Sequence, residues 1–183
     1  MKLTEIIEKR RAFRSLGPAK IDERLVHDLA AAASLSASCF NKQPWRFVFV
    51  IDKEVLGRLE GAINKGNEWT RAASMIVAVV SQKDMDCLVK EREYYLFDTG
   101  MATAFLILKA TELGLVAHPI AGFDEDKSKE ILGIPVAMRL ITLVIIGVHQ
   151  LPLNALLNEK QAEGEKTRPE RLPLSEIMRI DHF

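Results

Sequence analysis

Cysteine is scarce in this sequence. Cys39 and Cys87 are the two, without CxxC spacing and without a histidine pattern nearby. A zinc site or a disulfide framework is therefore not expected, and a reducing cytoplasm is the default compartment. The four histidines (His27, His118, His149, His182) are scattered, which argues against a metal centre. An excess of one charge is missing too. Lys plus Arg number 25 and so do Asp plus Glu, so nothing draws the chain as a whole toward nucleic acid. Charges interrupt the apolar positions near the N-terminus, so no signal peptide is expected, and no stretch approaches the length of a membrane span. No GxGxxG follows an apolar run, so a Rossmann dinucleotide site is not indicated. Internal repeats and low-complexity segments are lacking as well.

What is present suits one domain. The 183 residues are 48% hydrophobic and 27% charged, enough to bury a sizeable core. Leu3, Ile6 and Ile7, followed by Arg10, Arg11 and Arg14, read as a short amphipathic helix stopped by Gly17-Pro18. Asp22 is the expected N-cap of a second helix carrying Leu25, Val26 and Leu29. Arg46 to Ile51 and Met75 to Val80 read as strands buried on both faces. A helix is expected from about Lys53 to Asn64, and the longest from Glu91 to Leu113, with Gly114 as its terminating glycine. Leu115 to Ala117 reads as a short strand, Asp124 opens a helix ending near Leu132, and Leu140 to Val148 is the most strand-like run. Long crossovers between these strands favour an α+β, three-layer α/β/α arrangement with a small mixed sheet. Beyond Gln150 a polar spacer precedes Leu172, Leu174, Ile177 and Met178. Residues 150–183 are thus expected to form an arm that docks on the body or on a neighbouring subunit.

Two stretches carry chemistry. Arg10, Arg11 and Arg14 put three guanidinium groups within five residues and no acid among them. Helix macrodipoles favour such cations at a C-terminus, yet three exceed what capping needs, and an anion is the natural partner. The loop from Ser38 to Trp45 offers a hydroxyl and the side-chain amides of Asn41 and Gln43, donors and acceptors suited to the edge of a planar heterocycle. Pro44 is expected to push Gln43 toward an extended conformation. The same residues also fit a polar loop that merely caps a strand. Cys39 is expected to be a small apolar filler rather than a reactive thiol.

Arg10-Arg11-Ala12-Phe13-Arg14, Ser38 to Trp45, Gly114-Leu115 through Pro119 to Asp124, and Lys129 to Pro135 come in an order and spacing that resemble the nitroreductase family. The likeness runs on to Arg171 to Glu176. The resemblance implies an FMN-dependent NAD(P)H oxidoreductase, a homodimer with FMN at the subunit interface, and a sheet that is mainly antiparallel. It implies Arg10, Arg11 and Ala12 on the phosphate and ribityl side, and Arg14 near flavin N1 and O2. Pro119, Ile120, Ala121 and Gly122 would line the ring, with Asn67 nearby. Ser38 and Asn41 would reach the flavin of the other subunit, and Arg171 or Arg168 would close on the phosphate. NADH or NADPH would donate a hydride, and a nitroaromatic, quinone or related small molecule would accept electrons in a ping-pong cycle. Two other readings stay open: a specialised relative acting on one metabolite or on its own flavin, and a flavin-binding dimer without turnover. No acid–base side chain is required, so His118 is expected to be a packed residue.

Overall fold

The structure, a computed structural model, describes residues 2–183. In chain order the elements are α1 (Leu3–Lys9), β1 (Leu16–Gly17), α2 (Glu23–Ser34), β2 (Arg46–Val50), α3 (Lys53–Glu60), β3 (Met75–Ser81), β4 (Leu88–Val89), β5 (Arg92–Glu93), α4 (Tyr94–Glu112), β6 (Val116–Ile120), α5 (Glu125–Leu132), β7 (Arg139–His149), α6 (Glu159–Lys166) and α7 (Leu174–Ile177). Short 3-10 turns occupy Cys39–Asn41, Glu68–Ala72 and Lys83–Met85.

An unbroken apolar run needs cover on both faces, and every residue of β3 is buried. Its side chains alternate between two cores. Ile76, Ala78 and Val80 join Leu59, Trp69 and Ile134 on one face, while Met75, Val77 and Val79 join Leu29, Leu106 and Ala110 on the other. Helices therefore cover both sides of the sheet, and the expected α+β, three-layer architecture is the one observed. The sheet is not mixed, however: every strand pairing is antiparallel. β3 and β6 run in the same direction, but β7 pairs with both of them, so they form no ladder with each other.

Other boundaries shift for identifiable reasons. α1 stops at Lys9, well before Gly17-Pro18, because Leu16 and Gly17 are drawn into the sheet against His149 and Val148. Arg10 to Ser15 thus form an extended segment, and Arg10 and Arg14 do not share a helix face. β2 is an edge strand: Val48 and Val50 pack into one core and Phe47 and Phe49 against the other, so both faces are covered as expected, but only Val50 is fully buried. α3 ends at Glu60, short of Asn64. Caps fall where the sequence placed them: Asp22 accepts from Leu25 N at 2.9 Å and Asp124 from Lys127 N at 3.0 Å. Among the described residues, no helix is long and apolar enough to cross a membrane.

Candidate functional site

The Arg10–Ser15 segment lies between β6 and the C-terminal arm, held there by several of its backbone and side-chain groups. Ser15 Oγ donates to Gln150 O at 2.9 Å. Glu165 on α6 is buried, with Oε1 accepting from Arg14 N at 2.8 Å and Oε2 from Ser15 N at 3.2 Å. Phe13 stacks on His149 at 3.8 Å, and Phe13 O lies 3.1 Å from His118 Nδ1. His149 Nε2 is 3.3 Å from Glu165 Oε2 without hydrogen-bond geometry. A carboxylate accepting two backbone N–H groups thus fixes the path along which the arginines are displayed.

Both ends of the chain meet here. Arg11 Nη2 donates to Gly164 O at 3.1 Å and to Thr167 O at 2.6 Å, and its guanidinium sits 4.3 Å from the Phe13 ring centroid. Arg168 Nη2 donates to Glu8 O and, at 2.8 Å, to Arg10 O. Partial burial holds Arg10 below the usual guanidinium range, and the positive charges of Arg168 and Arg171 push the same way. Arg14 and Arg10 both act on His118, whose pKa is lowered first by burial and then by these charges. Among the described residues, none of Arg10, Arg11, Arg14, Arg168 and Arg171 pairs with a carboxylate. Ala12 is exposed within the segment. Guanidinium groups gathered without acids form a site for an anion bearing several oxygens.

A second wall comes from β6 and the turn after it. His118 is buried, with its ring 4.7 Å from that of Trp69. Trp69 Nε1 donates to Asn67 Oδ1 at 3.2 Å, and Asn67 Nδ2 donates to Gly122 O at 3.4 Å. Asn67 therefore does lie beside the 119–122 segment. A Cβ at Gly122 would collide with the Asn67 amide nitrogen, so glycine is what permits this approach. Pro119 and Ala121 are exposed. Ile120 is different: its side chain belongs to the sheet core and its carbonyl accepts from Thr142 Oγ1 at 2.8 Å, so it offers no apolar surface to a ligand.

Ser38 and Asn41 are held elsewhere, against the start of α4. Cys39 N donates to Asp98 at 2.6 Å. Phe40, Asn41 and Gln43 have φ of 49°, 56° and 50°, so Gln43 is left-handed rather than extended. Ser38 Oγ accepts from Gln43 N at 3.0 Å and Asn41 O accepts from Gln43 Nε2 at 3.3 Å, which keeps it there. Two expectations about cysteine are also overturned. Cys39 and Cys87 form a disulfide with Cα atoms 6.1 Å apart, so Cys39 is neither a filler nor a free thiol, and cysteine scarcity no longer argues for a compartment. The antiparallel register explains the pairing: Arg46 faces Val80, and the cysteines lie equally far beyond each, before β2 and after β3. Linear spacing could not show it.

Beside this disulfide, Asp86 is 5% exposed; its Oδ1 accepts from Cys87 N at 2.7 Å and its Oδ2 has no partner. Burial raises its pKa, and the neighbouring carboxyl of Asp98, 2% exposed, raises it further against the Cys87 hydrogen bond. Ligand atoms of Cys39, Cys87 and Asp86 lie within 4.8 Å of one another, but both sulfurs are used by the disulfide.

A concavity of about 740 Å³ is lined by Asp86 together with Gln82, Asp84, Tyr95, Glu125, Lys129 and Arg139 among others, and none of the five arginines above lines it. Arg139 there pairs with Glu125 at 3.2 Å, and Lys129 Nζ donates to Val136 O at 2.8 Å. At the arginine corner, Arg168 and Arg171 are exposed and Arg10, Arg11 and Arg14 are half-buried.

Sequence reasoning missed Glu165, His149, Phe13 and Trp69. A signal for the first existed: Asn158 and Gln161 form a capping box that starts α6 and so orients Glu165.

A crystal structure described as an oxidoreductase containing FMN superposes with a TM-score of 0.83 at 27% identity, covering 97% of this chain and 91% of that one. A nitroreductase family protein from Clostridium novyi NT superposes with a TM-score of 0.75 at 29% identity, covering 81% and 87%. An NADH dehydrogenase of Thermus thermophilus is 24% identical, covering 81% of this chain and 91% of its own length. The nitroreductase family model matches residues 7–87 and 64–148, and the chain belongs to that family.

Proposed function

We propose that this chain is an FMN-dependent NAD(P)H oxidoreductase that passes electrons to nitroaromatic, quinone or related acceptors by a ping-pong mechanism. The observation supporting it is the convergence of Arg10, Arg168 and Arg171 from the two ends of the chain with no acidic partner. A phosphate monoester carries about −1.5 to −2 charge and three acceptor oxygens, and clustered guanidinium groups suit it. The residues present therefore fit the cofactor. Arg10, Arg11 and Arg171 would hold the phosphate and ribityl side, with the Ala12 backbone between them. Arg168, whose Nη2 already serves two carbonyls, would chiefly fasten the arm to the end of α1. Asn67, Pro119, Ala121 and Gly122 would border the ring. Arg14 would stabilise negative charge developing on it. When bound, FMN would supply the chemistry, taking a hydride from NADH or NADPH and returning electrons to the acceptor.

The reading includes a homodimer of single-domain subunits, residues 1–183, whose arms (150–183), fastened to their own subunit at Glu165 and Arg168, reach the partner beyond that point. Its support is apolar surface in need of cover. Leu3, Ile7, Leu35, Phe97 and Phe105 are exposed on α1, the end of α2 and α4, and so are Leu172, Leu174, Ile177 and Phe183 in the arm. Ser38 and Asn41, remote from their own arginine corner, would meet the cofactor of the other subunit.

The test is a visible spectrum of the purified protein titrated with FMN, followed by anaerobic addition of NADH and then NADPH. Flavin binding at one FMN per chain, bleaching by a reduced nicotinamide and recovery on adding a quinone are expected. A protein that stays colourless with excess FMN would refute the reading. Bound flavin that neither nucleotide reduces would refute its catalytic half.

A further inference from the structure

The flavin chemistry makes no use of the Cys39–Cys87 disulfide, yet this bond ends in the loop that carries Ser38 and Asn41. That loop is held partly by its own hydrogen bonds, from Gln43 N to Ser38 Oγ and from Gln43 Nε2 to Asn41 O, and partly by ties to the rest of the protein. Three non-glycine residues, Phe40, Asn41 and Gln43, adopt left-handed backbone conformations within four positions. The external ties are the disulfide, the Cys39 N to Asp98 bond at 2.6 Å, and Lys42 Nζ at 3.5 Å from Asp86 O.

We propose that Cys39 and Cys87 form a reversible thiol–disulfide couple whose oxidised state shapes the Ser38–Gln43 loop for flavin contact, so that a dithiol reductant weakens FMN binding. The proposal rests on the reading of this loop as part of the flavin site. Cys39 is partly exposed and Cys87 is buried, so an attacking thiolate reaches the Cys39 sulfur. That sulfur forms a mixed disulfide, the Cys39–Cys87 bond breaks, and Cys87 leaves as a thiolate that takes up a proton. The reductant's second thiol then displaces Cys39. Two electrons and two protons have moved from the dithiol, which becomes a disulfide, to the protein.

Two thiols cannot remain at bonding distance, so at least one sulfur must move. Cys87 is packed beside Asp86 and Asp98, all three under a tenth exposed, whereas Cys39 sits on an open loop with Phe40 89% exposed. The movement therefore falls on the loop, and the strained residues beside Cys39 relax with it.

The experiment measures FMN dissociation constants for the oxidised protein and for protein held in dithiothreitol with EDTA, which excludes metal uptake by the freed thiolates. Peptide mapping assigns the redox state, and circular dichroism confirms that both forms are folded. Reduction should weaken FMN binding by at least about fivefold, the lower end of ordinary coupling between sites. Saturating FMN should shift the dithiothreitol equilibrium toward the disulfide by the same factor, as linkage requires. A Cys39→Ser/Cys87→Ser double variant should bind FMN as the reduced protein does and ignore dithiothreitol. Equal FMN affinity in the two mapped states would sink the couple while leaving the flavin reading intact. Absence of FMN binding in both would overturn the flavin reading, and this proposal with it. A map showing free thiols in the air-oxidised protein would overturn the couple alone.

Discussion

Two regions of this molecule gather like charges, and they resolve the problem differently. At the arginine corner, Arg10, Arg168 and Arg171 press on one another at an open edge, where each stays charged and retains unused donors. At the foot of the Cys39 loop, Asp86 and Asp98 press on one another inside the protein, where burial favours the neutral acid. An arginine cannot give up its proton, whereas an aspartate can gain one. Gathered like charge is therefore a demand for an external ligand in the first place and a demand for a proton in the second.

The largest expected effect tests the first half. Arg10→Ala should weaken FMN binding by about 1.5–3 kcal/mol, the loss of one hydrogen bond to a charged group, read by flavin titration. Unchanged affinity would remove Arg10 from the site and erase the contrast. Next comes the scaffold beneath the arginines. Glu165→Ala leaves the Arg14 and Ser15 backbone N–H groups without their acceptor, so urea denaturation should show a loss of about 1–3 kcal/mol. Wild-type stability would mean that water serves those groups equally well and that α6 is not what displays the arginines. Asn41→Ala in one subunit of a mixed dimer should cost about 0.5–1.5 kcal/mol in FMN binding, felt mainly at the cofactor held by the other subunit. A loss confined to the variant's own flavin would contradict the crossed arrangement.

The smallest effect belongs to the buried acids, and its sign follows from the raised pKa of Asp86. A carboxyl whose folded pKa lies above its unfolded value stabilises the fold while protonated, and this is lost as pH rises through the folded pKa. Asp86→Asn keeps an acceptor for Cys87 N but cannot ionise. Its melting temperature should exceed that of wild type at neutral pH, with the gap closing as pH falls below the ordinary carboxylate range. A gap independent of pH would show that Asp86 does not titrate with a raised pKa.

How far the site was legible in the sequence differs along the same line. Arg10, Arg11 and Arg14 were visible because clustered cations without acids are a local feature, readable within five residues. Asn67 and Gly122 were placed only by likeness to a family, and their contact depends on a hydrogen bond across the fold at 3.4 Å. Glu165 could be read only in part: the Asn158 and Gln161 capping box marks where α6 starts, but which of its acids turns inward depends on the segment packed against it. The disulfide was judged against on spacing, because only the Arg46–Val80 register brings residues 39 and 87 together.

The elements themselves were set by the sequence alone, because periodicity, caps and apolar runs act over a few neighbouring residues. Asp22, Asp124 and Gly133 place helix ends, and the unbroken run of β3 announces a central strand before any partner is known. Only the tertiary structure decided that α1 yields at Lys9 so that Leu16 can join β7, that Ile120 faces the core, and that the two ends of the chain meet. Those outcomes depend on which long-range pairing buries most apolar surface and satisfies most backbone groups, and that competition is settled between segments far apart in the chain.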